Sequence, residues 1–306
     1  MQTILGANGT IGKPLAKELK AYTDRIRLVS RQPGTSSGNT EAFPADLTDP
    51  EQAMQAVKGS EVAYLVVGLD YRLGTWQQLW PRLMRNVLDA CIRHETKLVF
   101  FDNVYLYDKK AVPHMTEQSP VNPPSGKGRV RQQIASMLMQ EVEAGRLQAL
   151  IARAPDFYGP ENHKSFAYEV IYRNLKKGKQ PLWMGKSDLR HSFIYTPDAA
   201  KATAILGNTP DAYGQAWHLP THPDAPTGRQ FIRWFGQEMG SPKKPMVMPT
   251  WMVRTAGLFS PLMKELGEMM YQYDQEYFFD SSKFTRRFDF QPTPYLDGIR
   301  ETIRIG

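Results

Sequence analysis

Hydrophobic and polar positions along the first half of the chain follow the pattern of strands and helices that alternate. Short apolar runs predict buried strands near residues 2–5, 26–29, 43–45, 62–67, 97–101 and 148–153. Apolar residues at helical spacing predict helices near residues 11–19, 51–58, 76–94 and 130–144. This alternation from residue 2 to about 155 predicts an α/β fold with a doubly wound parallel sheet.

The regular alternation stops after about residue 160. Residues 191–195 predict one further strand, and Asp198 is a candidate start for another helix. The remaining chain is rich in Pro, Met, Trp and Tyr and predicts short elements. We therefore expect a first domain over 1–160, joined by a later strand and helix near 190–220. Residues 161–306 are expected to form mainly a smaller, substrate-binding C-terminal domain.

Three glycines follow the first predicted strand with the spacing G-x-x-G-x-x-G, at Gly6, Gly9 and Gly12. Gly6 would let the chain turn off the strand, Gly9 would admit a pyrophosphate, and Gly12 would let the helix pack closely. The N-terminus of the next helix would add N–H donors and partial positive charge. An ordinary glycine-rich turn is the alternative. The strand before and the helix after favour the dinucleotide site of a Rossmann-type fold.

The second predicted strand ends at Ser30 and Arg31. In dinucleotide-binding folds this strand stops beside the adenosine ribose, where an acidic residue favours NAD. Arg31 would instead pair with the 2′-phosphate of NADP, although a plain surface arginine is the alternative. The sequence therefore predicts NADP as cofactor, with NAD also possible.

Composition and charge narrow the class of protein. The chain has 306 residues, 41% of them hydrophobic, a formal net charge of +7 and a single cysteine, Cys91. Dispersed basic residues do not indicate a nucleic-acid site, and one cysteine allows no internal disulfide. The apolar stretch 251–270 is interrupted by charges and a proline, so we expect no membrane span. A strand that begins at residue 2 leads us to expect no signal peptide, and the single cysteine favours a reducing, cytoplasmic location. Because no spanning run is present, we expect no membrane partner.

Several motifs together resemble the short-chain dehydrogenase/reductase superfamily, in its extended, epimerase/dehydratase-like branch. The glycine motif resembles the cofactor loop of that branch, and Asp46-Leu47 resembles the acidic turn at the adenine. Residues 153–160 resemble its R-x-x-x-x-Y-G-P segment, which meets the nicotinamide. Residues 191–198 loosely resemble its R-x-F-x-x-V-x-D segment, with histidine in the Arg place and threonine in the Val place. The resemblance implies a possible homodimer.

The predicted cofactor-binding residues lie in the glycine loop, near the ends of the first strands, at position 131 and in the segment 153–160. They are Gly6, Asn8, Gly9, Thr10, Ile11, Gly12, Arg31, Asp46, Leu47, Val67, Gly68, Arg131 and Pro155. No histidine or cysteine spacing predicts a metal site.

The chain departs from the superfamily at the catalytic positions. The superfamily uses a Tyr-x-x-x-Lys pair with an upstream Ser or Thr, and the tyrosine moves a proton at the substrate oxygen. Here Lys127 falls in the Tyr place, Arg131 in the Lys place and Asn103 in the Ser place. The usual mechanism therefore cannot be transferred to these residues.

Two interpretations of this site remain. In the first, Asn103 polarises a carbonyl, and Tyr105, two positions along the strand end, or Lys127 donates the proton while Arg131 keeps a ribose contact. In the second, cofactor binds without turnover, Tyr105 is a packed aromatic and Lys127 is a solvated loop residue. The first predicts an oxidoreductase or epimerase/dehydratase-like enzyme for a small carbonyl, hydroxyl or sugar-type substrate. The second predicts an NADP-binding redox sensor or scaffold; a nucleic-acid-associated protein has only the net charge in its favour.

Overall fold

A seven-stranded parallel sheet is the centre of the first of two compact units in the computed structural model, which describes residues 1–163 and 165–305. This unit comprises Met1–Leu106, Lys127–Arg153 and Ala199–Leu219. The first six strands in chain order are β1 (Gln2–Leu5), β2 (Ile26–Ser30), β3 (Thr40–Pro44), β4 (Val62–Leu65), β5 (Lys97–Asp102) and β6 (Ala149–Arg153). The chain continues with β7 (Asp156–Tyr158), β8 (Leu182–Met184), β9 (Phe193–Tyr195), β10 (Ala216–His218) and β11 (Met246–Met248).

The helices follow the strands as the sequence pattern predicts in the first half of the chain. The first six are α1 (Gly12–Glu18), α2 (Pro50–Val57), α3 (Leu73–Arg93), α4 (Gly126–Glu143), α5 (Arg173–Lys176) and α6 (Thr196–Gly207). The later ones are α7 (Gly228–Glu238), α8 (Thr250–Ala256), α9 (Pro261–Gly267), α10 (Ser282–Phe288) and α11 (Tyr295–Ile305). A π-helical segment, Ala167–Tyr172, leads into α5.

The large sheet has the order β10-β6-β5-β4-β1-β2-β3, and all of its pairings are parallel. Because β1 lies between β4 and β2, the chain reverses its winding direction there, as in other doubly wound sheets. Strand β1 is fully buried, and α2, α3 and α4 pack their apolar faces into one core with the sheet. The predicted Rossmann-type α/β fold is thus confirmed.

The second unit comprises Tyr107–Gly126, Ala154–Asp198 and Pro220–Gly306, and it is nearly as large as the first. It contains two small parallel sheets, β8 with β11 and β7 with β9. Its core is aromatic, and Phe193 stacks on Phe231 with 4.2 Å between ring centroids. Residues 107–126 and 154–160, which the sequence pattern placed in the first domain, belong to this unit.

Two expected elements lie elsewhere than predicted. The strand expected at residues 191–195 is β9, which pairs with β7, whereas β10 completes the large sheet. Helix α4 begins at Gly126 rather than near Val130. The carboxylate of Glu268 accepts a hydrogen bond from the backbone N–H of Gly126 and so satisfies a donor at this helix end. That contact is non-local, so the local sequence pattern does not reveal it.

Candidate cofactor and catalytic site

The glycine loop after β1 is packed against the backbone that follows β4. Gly6 has φ +103°, and a side chain there would bring its Cβ to 2.9 Å from the backbone of Val67. A Cβ on Gly12 would lie 2.6 Å from the carbonyl oxygens of Gly6 and Ala7. The loop therefore needs glycine at both positions, and Gly12 makes its close contact with the loop itself.

Asn8 connects this loop to the end of β2. Its side-chain amide donates to the hydroxyl of Ser30 at 3.1 Å and to the carbonyl of Gln32 at 2.6 Å. Arg31 lies between these two residues and is exposed. The loop and the basic residue that the sequence predicts to select NADP are thus held next to each other.

Asp46 follows β3 in a turn that keeps its side chain ionised. Its carboxylate accepts from the backbone N–H and the hydroxyl of Thr48, at 2.9 and 2.8 Å. These hydrogen bonds hold the pKa of Asp46 below its ordinary value, and the positive charges of Arg31 and Arg82 act in the same direction. Leu47 is buried, and its carbonyl accepts from the side chain of Asn86.

The other predicted cofactor residues have different exposures. Ile11 is buried, Thr10 is half-buried, and Val67 and Gly68 follow β4 with the glycine exposed. Pro155 is buried in the second unit, directly before β7.

A buried ionic cluster lies at the end of β5. The guanidinium of Arg131 bonds Asp102 Oδ1 through Nε at 2.6 Å and Nη2 at 2.5 Å, and Arg153 Nε lies 3.6 Å from Asp102 Oδ2. The Arg131 guanidinium also packs over the rings of Trp80 and Phe100. The ribose contact of Arg131 stays a prediction, and the observed contacts give this residue a role in holding the end of β5.

The segment after β5 does not have the geometry expected of it. Strand β5 ends at Asp102, so Asn103 and Tyr105 do not share a strand face. Instead, Asn103 Oδ1 accepts from the backbone N–H of Tyr105 at 3.0 Å, which closes an Asx turn. The expectation of a common strand face was therefore wrong, because β5 ends at Asp102 and the chain turns at Asn103.

Tyr71 brings two of the predicted catalytic residues together. Lys127 Nζ lies 4.6 Å from the centroid of the Tyr71 ring, and the hydroxyls of Tyr71 and Tyr105 are 3.4 Å apart. Lys127 is fully buried in the first turn of α4, so the alternative of a solvated loop lysine is wrong. The Tyr105 ring stacks on Trp76.

The sequence pattern gave Tyr71 little prominence. The residue lies between β4 and α3 and is not among the residues predicted for the site. Trp76 and Trp80 are buried in the core, while Tyr71 is half-buried. Tyr71 follows β4, which neighbours β1 in the sheet, and this position is the feature that connects the residue with the site.

The later motif residues lie in the second unit and interact with one another there. His191 Nε2 lies 2.9 Å from Asp156 Oδ2, and the Tyr273 hydroxyl donates to the same oxygen at 2.8 Å. Asp198 accepts from the backbone and the hydroxyl of Thr293. Within residues 1–163 and 165–305, no group of His, Cys, Asp or Glu has the arrangement of a metal site.

The first unit fits a dinucleotide. Gly6, Gly9 and Gly12 leave three positions of the loop without side chains. The loop, residues 67–68 and residues 103–105 follow the carboxyl ends of the adjacent strands β1, β4 and β5. Ligands of open parallel sheets bind at these strand ends, at the point where the winding reverses. The fold and the loop define a dinucleotide-binding protein of the Rossmann type.

Comparison with known proteins gives the family. A model of the NAD dependent epimerase/dehydratase family matches residues 3–218, and the chain belongs to this family. An uncharacterized protein y4nL from Sinorhizobium fredii is 32% identical over 105 residues. That match covers 34% of this chain and 29% of the relative's length.

Solved structures of similar fold include nucleotide-sugar enzymes. A UDP-N-acetylglucosamine 4-epimerase from Bacillus cereus has a TM-score of 0.77 at 16% identity, covering 98% of this chain and 94% of its own. The dTDP-glucose 4,6-dehydratase DesIV from Streptomyces venezuelae, a double mutant with NAD bound, has a TM-score of 0.80 at 14% identity. The match covers 99% of this chain and 96% of DesIV. A UDP-glucose 4-epimerase from Thermus thermophilus in complex with NAD has a TM-score of 0.77 at 16% identity. The match covers 99% of this chain and 98% of the epimerase. At these identities the likeness establishes the fold alone.

In the part of the chain that the structure describes, no helix is both long and apolar enough to cross a bilayer.

Proposed function

We propose that this protein is an NADP(H)-dependent enzyme that reduces, oxidises or epimerises a small carbonyl, hydroxyl or sugar-type compound. The observation that carries the proposal is the group formed by Lys127, Tyr71 and Tyr105 at the strand ends beside the glycine loop. It contains a buried amine and two hydroxyls within contact distance, although the superfamily's tyrosine and lysine positions are substituted.

The cofactor is expected to bind in the glycine loop. Gly9 admits the pyrophosphate, Asp46 accepts from the adenine, and exposed Arg31 pairs with the 2′-phosphate. NAD bound in similar structures makes NAD the alternative cofactor. The bound nicotinamide would supply or accept the hydride.

The protein residues must then handle the proton. When a hydride reaches a carbonyl carbon, the electron pair of the C=O bond moves to oxygen, and this oxygen must take a proton. Tyr105 is the proposed donor, because its hydroxyl adjoins a second hydroxyl on Tyr71. Lys127, whose Nζ lies above the Tyr71 ring, is the alternative proton donor. Oxidation runs through the same residues in reverse.

A second candidate function is a redox sensor or scaffold that binds NADP without turnover. Two observations favour it. Asn103 uses its amide oxygen to close a turn, and the Arg131 guanidinium is bonded to Asp102. Neither residue reproduces the superfamily's Ser or Lys, whereas the glycine loop proposed to bind the cofactor is intact.

Turnover of a substrate panel separates the two functions. NADPH consumption is measured over aldehydes, ketones and nucleotide sugars for the unmodified protein, Tyr105→Phe and Lys127→Met. The enzyme proposal predicts activity on at least one compound and a loss of about a hundredfold in each variant, with NADPH affinity almost unchanged. Tyr22→Phe and Lys110→Met, at exposed positions, are the matched controls.

Each outcome has a definite meaning. Full binding of NADPH with no turnover of any compound favours the sensor. Turnover that neither variant reduces rejects Tyr105 and Lys127 as the source of the proton.

A further inference from the structure

Exposed apolar side chains are concentrated in one segment of the second unit. Ten large hydrophobic residues of the described chain are well exposed, and seven of them lie between residues 246 and 262. The tip of the segment has the highest exposure, with Leu258 at 79% and Phe259 at 86%. Trp251 on α8 and Leu262 on α9 are exposed by 66% and 57%. A concentration of exposed apolar side chains of this kind usually marks a contact with another molecule.

The local structure of this surface is well formed. Helices α8 and α9 pack against each other, and the turn that joins them carries Leu258 and Phe259. The backbone N–H groups of these two residues donate to the carbonyls of Thr255 and Ala256. The tip can therefore enter an apolar phase without carrying unpaired N–H donors into it.

The charge of the segment identifies the kind of partner. Residues 243–267, which extend to the end of α9, contain four cations, Lys243, Lys244, Arg254 and Lys264, and one carboxylate, Glu265. Arg254 and Lys264 line a cleft of about 330 Å³ directly behind Leu258. A second copy of the same surface would place these cations against each other. An anionic partner with an apolar interior matches both features.

We propose that the α8–α9 tip, residues 246–264, binds the surface of an anionic phospholipid bilayer. Leu258 and Phe259 enter the region between headgroups and acyl chains, where an exposed tryptophan such as Trp251 also partitions favourably. Arg254 and Lys264 contact lipid phosphates. The expectation of no membrane partner rested on the lack of an apolar spanning run, which does not bear on binding to a surface.

Cosedimentation with vesicles tests the proposal. Vesicles of phosphatidylcholine alone are compared with vesicles that contain about 30% phosphatidylglycerol. The unmodified protein is expected to sediment with the anionic vesicles, less so as salt is raised, and to remain free of the neutral ones. Leu258→Ser/Phe259→Ser and, separately, Arg254→Gln/Lys264→Gln should each weaken binding about tenfold or more.

Matched controls and a local probe make the result specific. Tyr22→Ser/Ile305→Ser removes two exposed apolar residues outside the tip and should leave vesicle binding unchanged. Trp251 is the one well-exposed tryptophan of the six, so its emission should shift to the blue with anionic vesicles, and Trp251→Phe should abolish the shift. The circular dichroism spectrum and the Tm of each variant report whether it is folded.

The proposal is overturned if the unmodified protein binds neither the neutral nor the anionic vesicles. It is also overturned if the tip variants bind anionic vesicles as well as the unmodified protein does. It is also overturned if vesicle binding is absent and the tip variants convert an oligomer to a monomer in sedimentation. That result would identify the surface as an interface between copies of this chain.

Discussion

The ammonium group of Lys127 lies 4.6 Å from the centre of the Tyr71 ring, while the Tyr71 hydroxyl is 3.4 Å from that of Tyr105. Contact between a lysine Nζ and an aromatic face is favourable, so the Tyr71 ring helps to position the buried Lys127 side chain. The ring of Tyr71 and its hydroxyl therefore have separate tasks, which a substitution can distinguish.

Tyr71→Phe keeps the ring above Lys127 and removes the hydroxyl beside Tyr105. If Tyr71 supports proton transfer, kcat should fall by roughly tenfold or more, and the pH dependence of kcat should move. KM for NADPH should change little. The matched control is Tyr22→Phe at an exposed position. An unaltered pH profile of kcat would limit Tyr71 to packing.

Arg31→Asp is expected to reverse the cofactor preference. A charge-assisted contact with the 2′-phosphate contributes about 1.5–3 kcal/mol, which corresponds to a ten- to hundredfold preference for NADPH. The variant should instead favour NADH, because the new carboxylate repels the phosphate and accepts from the ribose hydroxyls. Calorimetric titration with both cofactors measures this. Arg25→Asp, an exposed change at the other end of β2, should leave the preference intact. Equal affinities in the unmodified protein contradict the assignment of Arg31.

Substitutions at two glycines of the loop should have different effects, one on cofactor binding and the other on stability. A Cβ at Gly9 would lie 3.2 Å from the Gly6 carbonyl, whereas one at Gly12 would lie 2.6 Å from two carbonyl oxygens. Gly9→Val should therefore fold and lose NADPH binding, while Gly12→Ala should lower the free energy of unfolding by about 1–3 kcal/mol. Urea unfolding and NADPH fluorescence separate the two effects. Gly74→Ala in α3, with open space around it, should be neutral or slightly stabilising. If folded Gly9→Val still binds NADPH, as measured by NADPH fluorescence, the assignment of the pyrophosphate site to this loop is wrong.

Asp102→Asn should be strongly destabilising. The Asp102 side chain is fully buried, and the substitution leaves the guanidinium of Arg131 without its counter-charge. The expected loss of unfolding free energy is about 3 kcal/mol or more. Asp89→Asn removes a half-exposed carboxylate 3.7 Å from Arg85 and should cost less than about 1 kcal/mol. Comparable losses in the two variants, measured by urea denaturation, would show that the buried cluster is not a special source of stability.

Glu141 should contribute stability that depends on pH. Its carboxylate accepts from Arg146 and Arg85 at 2.6 and 3.0 Å, and these bonds hold the pKa of Glu141 below its ordinary value of 4.5. Because the pKa is lower in the folded state, the contribution is complete above pH 4.5 and is lost as pH falls toward the folded pKa. Glu141→Gln should thus lower Tm at neutral pH, and the difference from the unmodified protein should narrow in acid. Glu143→Gln, exposed on the same helix, is the control. A difference in Tm that stays constant across this range would contradict the argument.

The sequence by itself determined the elements whose signals are local. Apolar runs located β1, β4 and β5, helical spacing located α2, whose N-cap is Asp49, and the glycine spacing placed a turn after β1. These signals suffice because a buried strand, a helix cap and a tight turn each depend on residues that are neighbours in the chain.

Only the tertiary structure decided the features that depend on distant contacts. Glu268, far along the chain, bonds the first residue of α4 and so moves Lys127 from an expected loop into a buried helical turn. Tyr71 meets Lys127 and Tyr105 only because the parallel sheet aligns the ends of β4 and β5. Hydrophobic periodicity reports which side of an element is buried, but it does not report which segments pack against that side. The composition of the site therefore follows from the order of the strands, which the three-dimensional fold alone supplies.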